Sequence, residues 1–389
     1  MRVVRIITRL NVGGPSIQAI TLSERLTSRG FETLLVHGRL GAGEGDMRYL
    51  LADGVQVRYL PALRRPVAPA HDALALAQLL DILRDTRPDV VHTHMAKAGT
   101  LGRLAAAIYN RTAGRRRRAR VVHTYHGHVL EGYFSARMAR VFTATERHLA
   151  RLTDAIVAIS PQIRDELLTD HCIGRSEQYR VIPLGFDLSA LAAIDDRARR
   201  EARVALDIPQ DAHVVATVGR LTAIKQHALF LETAAIVAGR DPSALFLIAG
   251  DGELRTELEQ TAHALGIAPR VRSLGWRRDL ATIYGATDVF LLTSRNEGTP
   301  VALIESLAAA VPGVSTDVGG IRDVVDRDEV GLLAPFGDAR MLADHVSALL
   351  ADPDRRRLMG ERGRRSVTAR YTLDRLVDDV ERLYRDLLN

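Results

Sequence analysis

Short apolar runs alternate with longer stretches of helical periodicity along nearly the whole chain, and this rhythm constrains the fold more than any other feature. Runs at 3–8, 33–37, 55–60, 90–93, 121–124, 155–159 and 180–183 predict strands. The stretches between them, at 16–29, 73–86, 100–110, 135–151 and 161–168, predict helices. Strand, helix and strand in succession form a βαβ unit, and a series of such units builds a parallel sheet covered by helices.

The rhythm pauses over 185–211, which is polar and alanine-rich and carries no strand pattern. It resumes with strands at 214–218, 245–249, 271–273, 289–292 and 314–315. Helices are predicted at 225–238, 253–265, 278–286, 300–310, 339–351, 354–370 and 372–388. The expected architecture is α/β, with two Rossmann-like domains in tandem joined near residue 190. Ligands of such sheets bind at the carboxyl ends of the strands, and two facing domains would put the site in the cleft between them. At 389 residues, 47% of them hydrophobic, the chain is long enough for two cores.

Composition excludes several function classes. The single cysteine, Cys172, rules out an intrachain disulfide and a thiolate zinc cluster, and it suits a reducing cytoplasm. Arg2, Arg5 and Arg9 break the N-terminal apolar run, so no secretory signal is expected. No run reaches the roughly 18 apolar residues of a membrane-spanning helix. The net charge of +6 is unevenly divided: residues 1–190 hold 27 Lys+Arg against 17 Asp+Glu, and the rest hold 26 against 30. A basic first half points to an anionic partner there, either a phosphorylated substrate or an acidic membrane surface. Nucleic acid is not expected, because the chain has one Trp and no RNA- or DNA-binding motif. Only two of the 53 basic residues are lysines, Lys97 and Lys225. An ammonium and a guanidinium are not interchangeable at tight sites, so both lysines are candidate site residues.

Five segments carry chemistry. Gly13-Gly14 follows the first strand, where glycines let backbone approach a ligand and a helix start favours an anion; a plain β–α turn is the alternative. Five of thirteen histidines fall within 92–128: His92, His94, His123, His126 and His128. His92 and His94 share one strand face, which leaves open a metal site or a polar wall. Glu131 is the only acidic residue between 90 and 145, which disfavours the metal. His92 and His123, inside strands, read as buried and satisfied, whereas His94 and His126 at strand ends are the better site candidates.

The other three segments lie in the second half. Arg220 and Lys225, across a turn after that half's first strand, suit a diphosphate, with plain surface charge as the alternative. Gly250-Asp251-Gly252 reads as a turn. The segment 273–276, which includes Leu274, offers backbone groups to a base, while Trp276 reads as packing. The most informative segment is Glu297-Gly298-Thr299-Pro300-Val301-Ala302-Leu303-Ile304-Glu305. Pro300 fits a first helical position. Free amides around Gly298, Thr299 and Val301 would sit at the positive end of the helix dipole, where a leaving diphosphate belongs. Glu297 and Glu305 are spaced to hold hydroxyls at two ends of one ligand, such as a sugar and a ribose. A helix with acidic residues near its start is the alternative.

In order and spacing these segments resemble the retaining GT-B glycosyltransferases of family 4, over nearly the whole chain. The strongest likeness is 294–320, similar to that family's E-x7-E region followed by PxVxTxVGG. Supporting likenesses are Gly219-Arg220-Leu221 with Lys225, the turn at 250–252, Gly13-Gly14, and the HTH and HTYHGH stretches at 92–94 and 123–128. The resemblance implies transfer of a sugar from a nucleotide-sugar to an acceptor, with retention at the anomeric carbon. It implies an acceptor domain at 1–188, a donor domain at 189–371, and a last helix at 372–389 crossing back onto the first. Glu305 would bind the ribose and Glu297 the sugar hydroxyls. Arg220 and Lys225 would neutralise the diphosphate, helped by amides of Gly14 and of 298–301, and His126 would lie beside the reacting sugar.

His94, Lys97 and His128 are expected on the acceptor side. The context of Lys97 resembles members acting on lipid-linked or cell-surface glycan precursors, so an anionic contact is expected of it. The segment 296–300 looks like members using UDP-sugars. The acceptor is expected to be a glycan, a lipid-linked glycan or a small-molecule glycoside precursor. Peripheral contact of 115–118 with the inner face of a membrane is weighed evenly against a solvated loop. No metal is expected, since Asp326-Arg327-Asp328 and Asp352-Pro353-Asp354 fall outside the proposed site elements. One departure from the family pattern is glycine after proline, not before it, in Ala310-Val311-Pro312-Gly313. The expected mechanism is front-face substitution. Rival readings are a nucleotide-sugar 2-epimerase of the same fold, a metal-dependent hydrolase using the histidines, and a non-catalytic glycan- or membrane-binding module.

Overall fold

The computed structural model describes residues 1–11, 13–42, 44–52, 54–114, 118–127 and 136–389. It divides into two units, Met1–Gly185 with Asp374–Asn389, and Phe186–Leu373. Each is built on one parallel sheet.

In the first unit the strands are β1 (Arg2–Ile7), β2 (Glu32–Gly38), β3 (Gln56–Leu60), β4 (Val90–His94), β5 (Arg120–Tyr125), β6 (Ala155–Ala158) and β7 (Tyr179–Val181). Their spatial order is β3-β2-β1-β4-β5-β6-β7. Strands β1, β4, β5 and β6 are buried almost throughout. Burial on both faces is why they read as near-continuous apolar runs. The helices Pro69–Thr86 and Ala96–Thr112 carry Leu79, Leu83, Leu101 and Ala105 into one core with Val4, Ile6, Val36 and Val91. Helix Gly14–Ser28 packs Ala19 and Ile20 against Ile7 and Leu35. The last helix, Leu373–Leu388, buries Leu376, Val377, Val380, Leu383 and Tyr384, an i, i+1, i+4, i+7, i+8 stripe that gives one apolar face. It is tied to this unit by Arg375, whose guanidinium donates to the carbonyls of Pro183 and Leu184, both at 2.8 Å.

The second unit holds β8 (His213–Val218), β9 (Ala244–Ala249), β10 (Val271–Gly275), β11 (Val289–Leu292), β12 (Gly313–Thr316) and β13 (Gly331–Ala334), in the order β10-β9-β8-β11-β12-β13. Helices His227–Arg240 and Ala339–Ala351 bury Phe230, Leu231, Leu342 and Val346 on one face. Helices Val301–Ala308 and Pro353–Arg370 bury Leu303, Leu307 and Val367 on the other. The polar pause contains the helix Asp196–Ala205. Three local expectations shift. Pro300 is the residue before the helix, and Val301 is its first. The stretch 161–168 is an α-turn, Pro161–Asp165, widening into a π-turn, Glu166–Asp170. Strand β13 was not among the predicted ones. No helix among the described residues is long and apolar enough to cross a membrane.

The strand order reverses direction between β1 and β4 in the first sheet and between β8 and β11 in the second. Such switch points open a crevice at the carboxyl ends of the flanking strands. Gly13-Gly14 follows β1 and His94 ends β4. Gly219 follows β8 and the segment 293–300 follows β11.

Candidate active site

In the second unit, the turn Ala223–Lys225 docks on the end of β11. The Arg295 amide donates to the Ile224 carbonyl at 2.8 Å, and the Thr293 hydroxyl bonds the Gln226 carbonyl at 3.0 Å. This docking brings together two side chains 72 residues apart. Lys225 Nζ donates to Glu297 Oε1 at 2.6 Å, and Ser294 Oγ donates to the same oxygen at 2.6 Å. Glu297 is 8% exposed, so the pair is well screened from water. An ammonium has three donors, and Glu297 takes one of them. Glu297 Oε2 takes no hydrogen bond from a described residue. Arg220 is exposed and has no carboxylate partner among the described residues. Thr222 Oγ1 and His227 Nδ1, in the same turn region, are buried without a partner, and burial pushes the His227 imidazole down to about 4.

The loop carrying Glu297 is held by glycines. The Gly320 amide donates to the Glu297 carbonyl at 2.8 Å. A Cβ on Gly320 would meet the Gly298 carbonyl oxygen at 2.0 Å, so no side chain fits there. Gly319 has φ 51, and a Cβ there would lie 2.2 Å from the Glu297 carbonyl oxygen. This is the physical reason for two successive glycines at that point. The amides of Gly298 and Thr299 have no partner among the described residues, whereas Val301 N–H is turned back to the Thr299 carbonyl at 2.9 Å. The expected cluster of free amides is therefore smaller by one, and Pro300 contributes none. Gly250 accepts φ 147 where a Cβ would strike the Gly219 carbonyl oxygen at 1.8 Å, which lets the loops after β8 and β9 touch. Leu274 is half-buried against the core beneath β9, and Trp276 is exposed.

Glu305 lies one turn into the helix Val301–Ala308. Tyr284 Oη is 2.9 Å from Glu305 Oε2 and 3.1 Å from the Ala302 carbonyl. Burial pushes the Glu305 carboxyl up to about 7, with the Tyr284 hydrogen bond acting the other way. Both charge states are accommodated. The carboxylate accepts the tyrosine proton, and the neutral acid donates to Tyr284 Oη while that hydroxyl turns to the Ala302 carbonyl.

In the first unit, Gly13 has φ 154 and starts the helix Gly14–Ser28 with its carbonyl bonded to the amides of Ser16 and Ile17. The Gly14 amide has no partner among the described residues. His94 and His126 meet, with His94 Nδ1 2.9 Å from His126 Nε2. Burial holds His94 well below the usual imidazole range and takes His126 down to about 3, so both are neutral at physiological pH. His123 is on the opposite face, bonded to Thr93 Oγ1 at 2.8 Å. Among the described residues no three His, Cys, Asp or Glu side chains are grouped to hold a metal ion.

Lys97 departs from expectation. Its Nζ donates to Asp72 Oδ2 at 2.6 Å, with both side chains largely buried. Its charge is already balanced, so an anionic ligand would have to displace Asp72. His128 and residues 115–117 lie outside the described residues. Tyr284 and Asp72 had no signal in the sequence, because each matters through a partner more than twenty positions away along the chain.

Two family models match the chain in succession. Glycosyltransferase Family 4 covers residues 12–190, and Glycosyl transferases group 1 covers residues 198–366. The UDP-Gal:alpha-D-GlcNAc-diphosphoundecaprenol alpha-1,3-galactosyltransferase of Escherichia coli is 28% identical over 349 residues, covering 88% of this chain and 87% of that protein. A D-inositol 3-phosphate glycosyltransferase of Corynebacterium urealyticum is 28% identical, covering 97% and 91%. Among solved structures, Anabaena Alr3699/HepE in complex with UDP superposes with a TM-score of 0.85 at 20% identity, covering 99% of this chain and 100% of that one. A glycosyltransferase from Rickettsia africae gives 0.83 at 16% identity, covering 100% and 99%. With two Rossmann-like sheets and both family models in their expected halves, the chain belongs to the family 4 glycosyltransferases, retaining enzymes of the GT-B fold that take a sugar from a nucleotide-sugar.

Proposed function

We propose that this chain transfers a hexose from a UDP-sugar to a lipid-linked or other phosphate-bearing glycan acceptor, without a metal ion. The observation that carries this is the Lys225–Glu297–Ser294 cluster at the second sheet's switch point, with Glu305 eight residues on, one turn into the helix that follows. Lys225 keeps two donors for diphosphate oxygens while it holds Glu297. Glu297 keeps Oε2 for sugar hydroxyls, and Glu305 faces the ribose. Arg220 and the amides of Gly298 and Thr299 add positive potential. These fixed cations and dipoles do what a divalent cation does elsewhere, stabilising charge on the departing phosphate. One relative whose name specifies UDP-Gal and a diphosphoundecaprenol acceptor supports the choice of donor and acceptor.

In the proposed reaction the bond from the anomeric carbon to the UDP β-phosphate oxygen breaks. The acceptor oxygen bonds that carbon on the same face. Its proton passes to the leaving phosphate oxygen, so charge and atoms balance without a protein nucleophile. His126, neutral and half-buried, contacts the transferred sugar as a hydrogen-bonding group and not as an acid.

The test is release of nucleotide from a panel of UDP-, GDP- and ADP-sugars, with and without a polyprenyl-diphosphate sugar acceptor, in EDTA and in magnesium. UDP release that needs acceptor and ignores EDTA is expected. Lys225→Ala and Glu297→Ala should each lower turnover by about 10²–10³. Donor epimerised without acceptor would replace this reading with the 2-epimerase. Near wild-type transfer by either variant would refute the residue roles.

A further inference from the structure

Arg5 is an arginine in the middle of β1 with 0% exposure. No carboxylate pairs with it among the described residues. Its Nη1 donates to Ser23 Oγ at 3.0 Å and its Nη2 to Tyr384 Oη at 2.9 Å, while Nε has no partner. A buried guanidinium without a counter-ion is costly, and such a cost persists where the charge has a use.

The neighbours suggest that use. Arg5 pairs in register with His92 on β4, so the two side chains share one face of the sheet beneath the last helix. Tyr384 Oη, on that helix, also lies 2.5 Å from His92 Nδ1. The hydroxyl has one proton. Arginine only donates, so Tyr384 accepts from Arg5; its own proton has no other acceptor among the described residues and goes to His92. His92 therefore carries its proton on Nε2, which donates to Thr124 Oγ1 at 2.7 Å. His92 stacks on His94 at 4.4 Å between centroids, with the planes 26° apart. His94 Nδ1 then meets His126 Nε2.

That last bond has two possible directions. His94 Nε2 and His126 Nδ1 are both buried without partners, so one of them bears an N–H and the other a lone pair. His94 is fully buried, whereas His126 is half-buried at the end of β5. An orphaned N–H is costlier than an orphaned lone pair, and it costs less in the half-buried residue than in the fully buried one. A cation at the head of a polar chain also orients its dipoles with hydrogens pointing away from the cation. Both effects select His94 as the donor.

We propose that Tyr384, anchored by Arg5 and bonded to His92, is a positioning residue for His126: it fixes each of the stacked histidines in a single tautomer, His92 protonated on Nε2 and His94 on Nδ1, and delivers His126 with its proton on Nδ1, the nitrogen that has no partner among the described residues. The C-terminal helix is thus part of the active-site machinery, although it touches no reacting atom. The catalytic half of this inference rests on the proposed role of His126 beside the transferred sugar.

The direct test is the ring-nitrogen NMR spectrum of the full chain labelled with ¹⁵N-histidine, with His126 assigned from a His126→Ala sample. The wild-type ring should show a protonated Nδ1 and a bare Nε2. In Tyr384→Phe the His126 signals should move toward a tautomer average. An unchanged pattern in that variant, or a bare Nδ1 in the wild type, overturns the proposal. Tyr384→Phe strands Arg5 and risks misfolding. The double variant Arg5→Met/Tyr384→Phe removes both polar groups and must show the same averaging. In turnover of UDP-glucose, Tyr384→Phe should lower kcat by about tenfold to a hundredfold with KM for the donor within about twofold. Loss in KM alone would mark a merely structural role and overturn the positioning claim. His126→Ala separates the two layers. If it keeps wild-type turnover, the reading of His126 fails, while the NMR result still judges the tautomer lock.

Discussion

Glu305 should make donor binding a proton-linked event. Each pKa unit corresponds to about 1.4 kcal/mol, so a rise from 4.5 to about 7 represents about 3 kcal/mol against the buried carboxylate. A folded-state value above the unfolded one favours the folded protein at low pH. That contribution is complete below pH 4.5 and is lost as the pH rises through 7. Glu305→Gln carries no charge to bury, and its amide can donate to Tyr284 Oη. It should match the wild type in stability near pH 4.5 and exceed it at pH 8 by up to about 3 kcal/mol. Binding shows the opposite preference. Two ribose hydroxyls need two carboxylate acceptors, so the donor selects the ionised form. A UDP-sugar is a diphosphate diester that does not itself titrate near neutrality. UDP-glucose affinity should therefore fall by about tenfold per pH unit below 7, and binding at pH 6 should release about 0.9 proton. Titration calorimetry in two buffers of different ionisation enthalpy measures that proton directly. A pH-independent affinity between 5.5 and 8 with no proton released would refute the reasoning. So would a Glu305→Gln protein less stable than the wild type at pH 8.

Other consequences concern the scaffold and its surroundings. Ala310 follows the helix Val301–Ala308 with φ 54, a left-handed conformation that strains any side chain. Ala310→Gly should raise stability by about 1 kcal/mol without altering turnover, read as a higher midpoint in urea. Arg103 and Glu146 form a wholly buried ion pair at 2.7 Å, which Tyr125 joins through its hydroxyl. Arg103→Met should cost about 3–5 kcal/mol by leaving Glu146 uncompensated, while the double variant Arg103→Met/Glu146→Leu should recover most of it, both measured by denaturant unfolding. The excess of basic residues before position 190 predicts flotation with vesicles containing phosphatidylglycerol but not with neutral ones, and the association should weaken as salt is raised.

Much of the fold was legible because buried parallel strands need apolar runs, and those runs have no other ready use. Strand β13 escaped because Gly331-Leu332-Leu333-Ala334 is short and holds no β-branched residue. The helix Asp196–Ala205 escaped because Ala202 is its only buried residue, leaving no stripe to read. In the candidate site, the positions of Glu297, Glu305 and Lys225 were marked by motif spacing, but the bond between Lys225 and Glu297 was not. It depends on the turn after β8 docking against the end of β11. Lys97 looked like a free cation because Asp72, its partner, lies 25 positions away on another helix. Arg5 was legible only as a break in the N-terminal apolar run. Its alternate-position register beside His92 on β4 exists only once the sheet is assembled.

The central claim is retaining transfer from a UDP-sugar. It is tested most directly by the anomeric configuration of the first glycosidic bond made, read by proton NMR on product formed from an α-linked UDP-sugar and a polyprenyl-diphosphate sugar acceptor. The account predicts an α-linked product, with one UDP released per linkage and no dependence on added metal. A β-linked product, or a UDP-sugar converted to its epimer with no linkage formed, would contradict it.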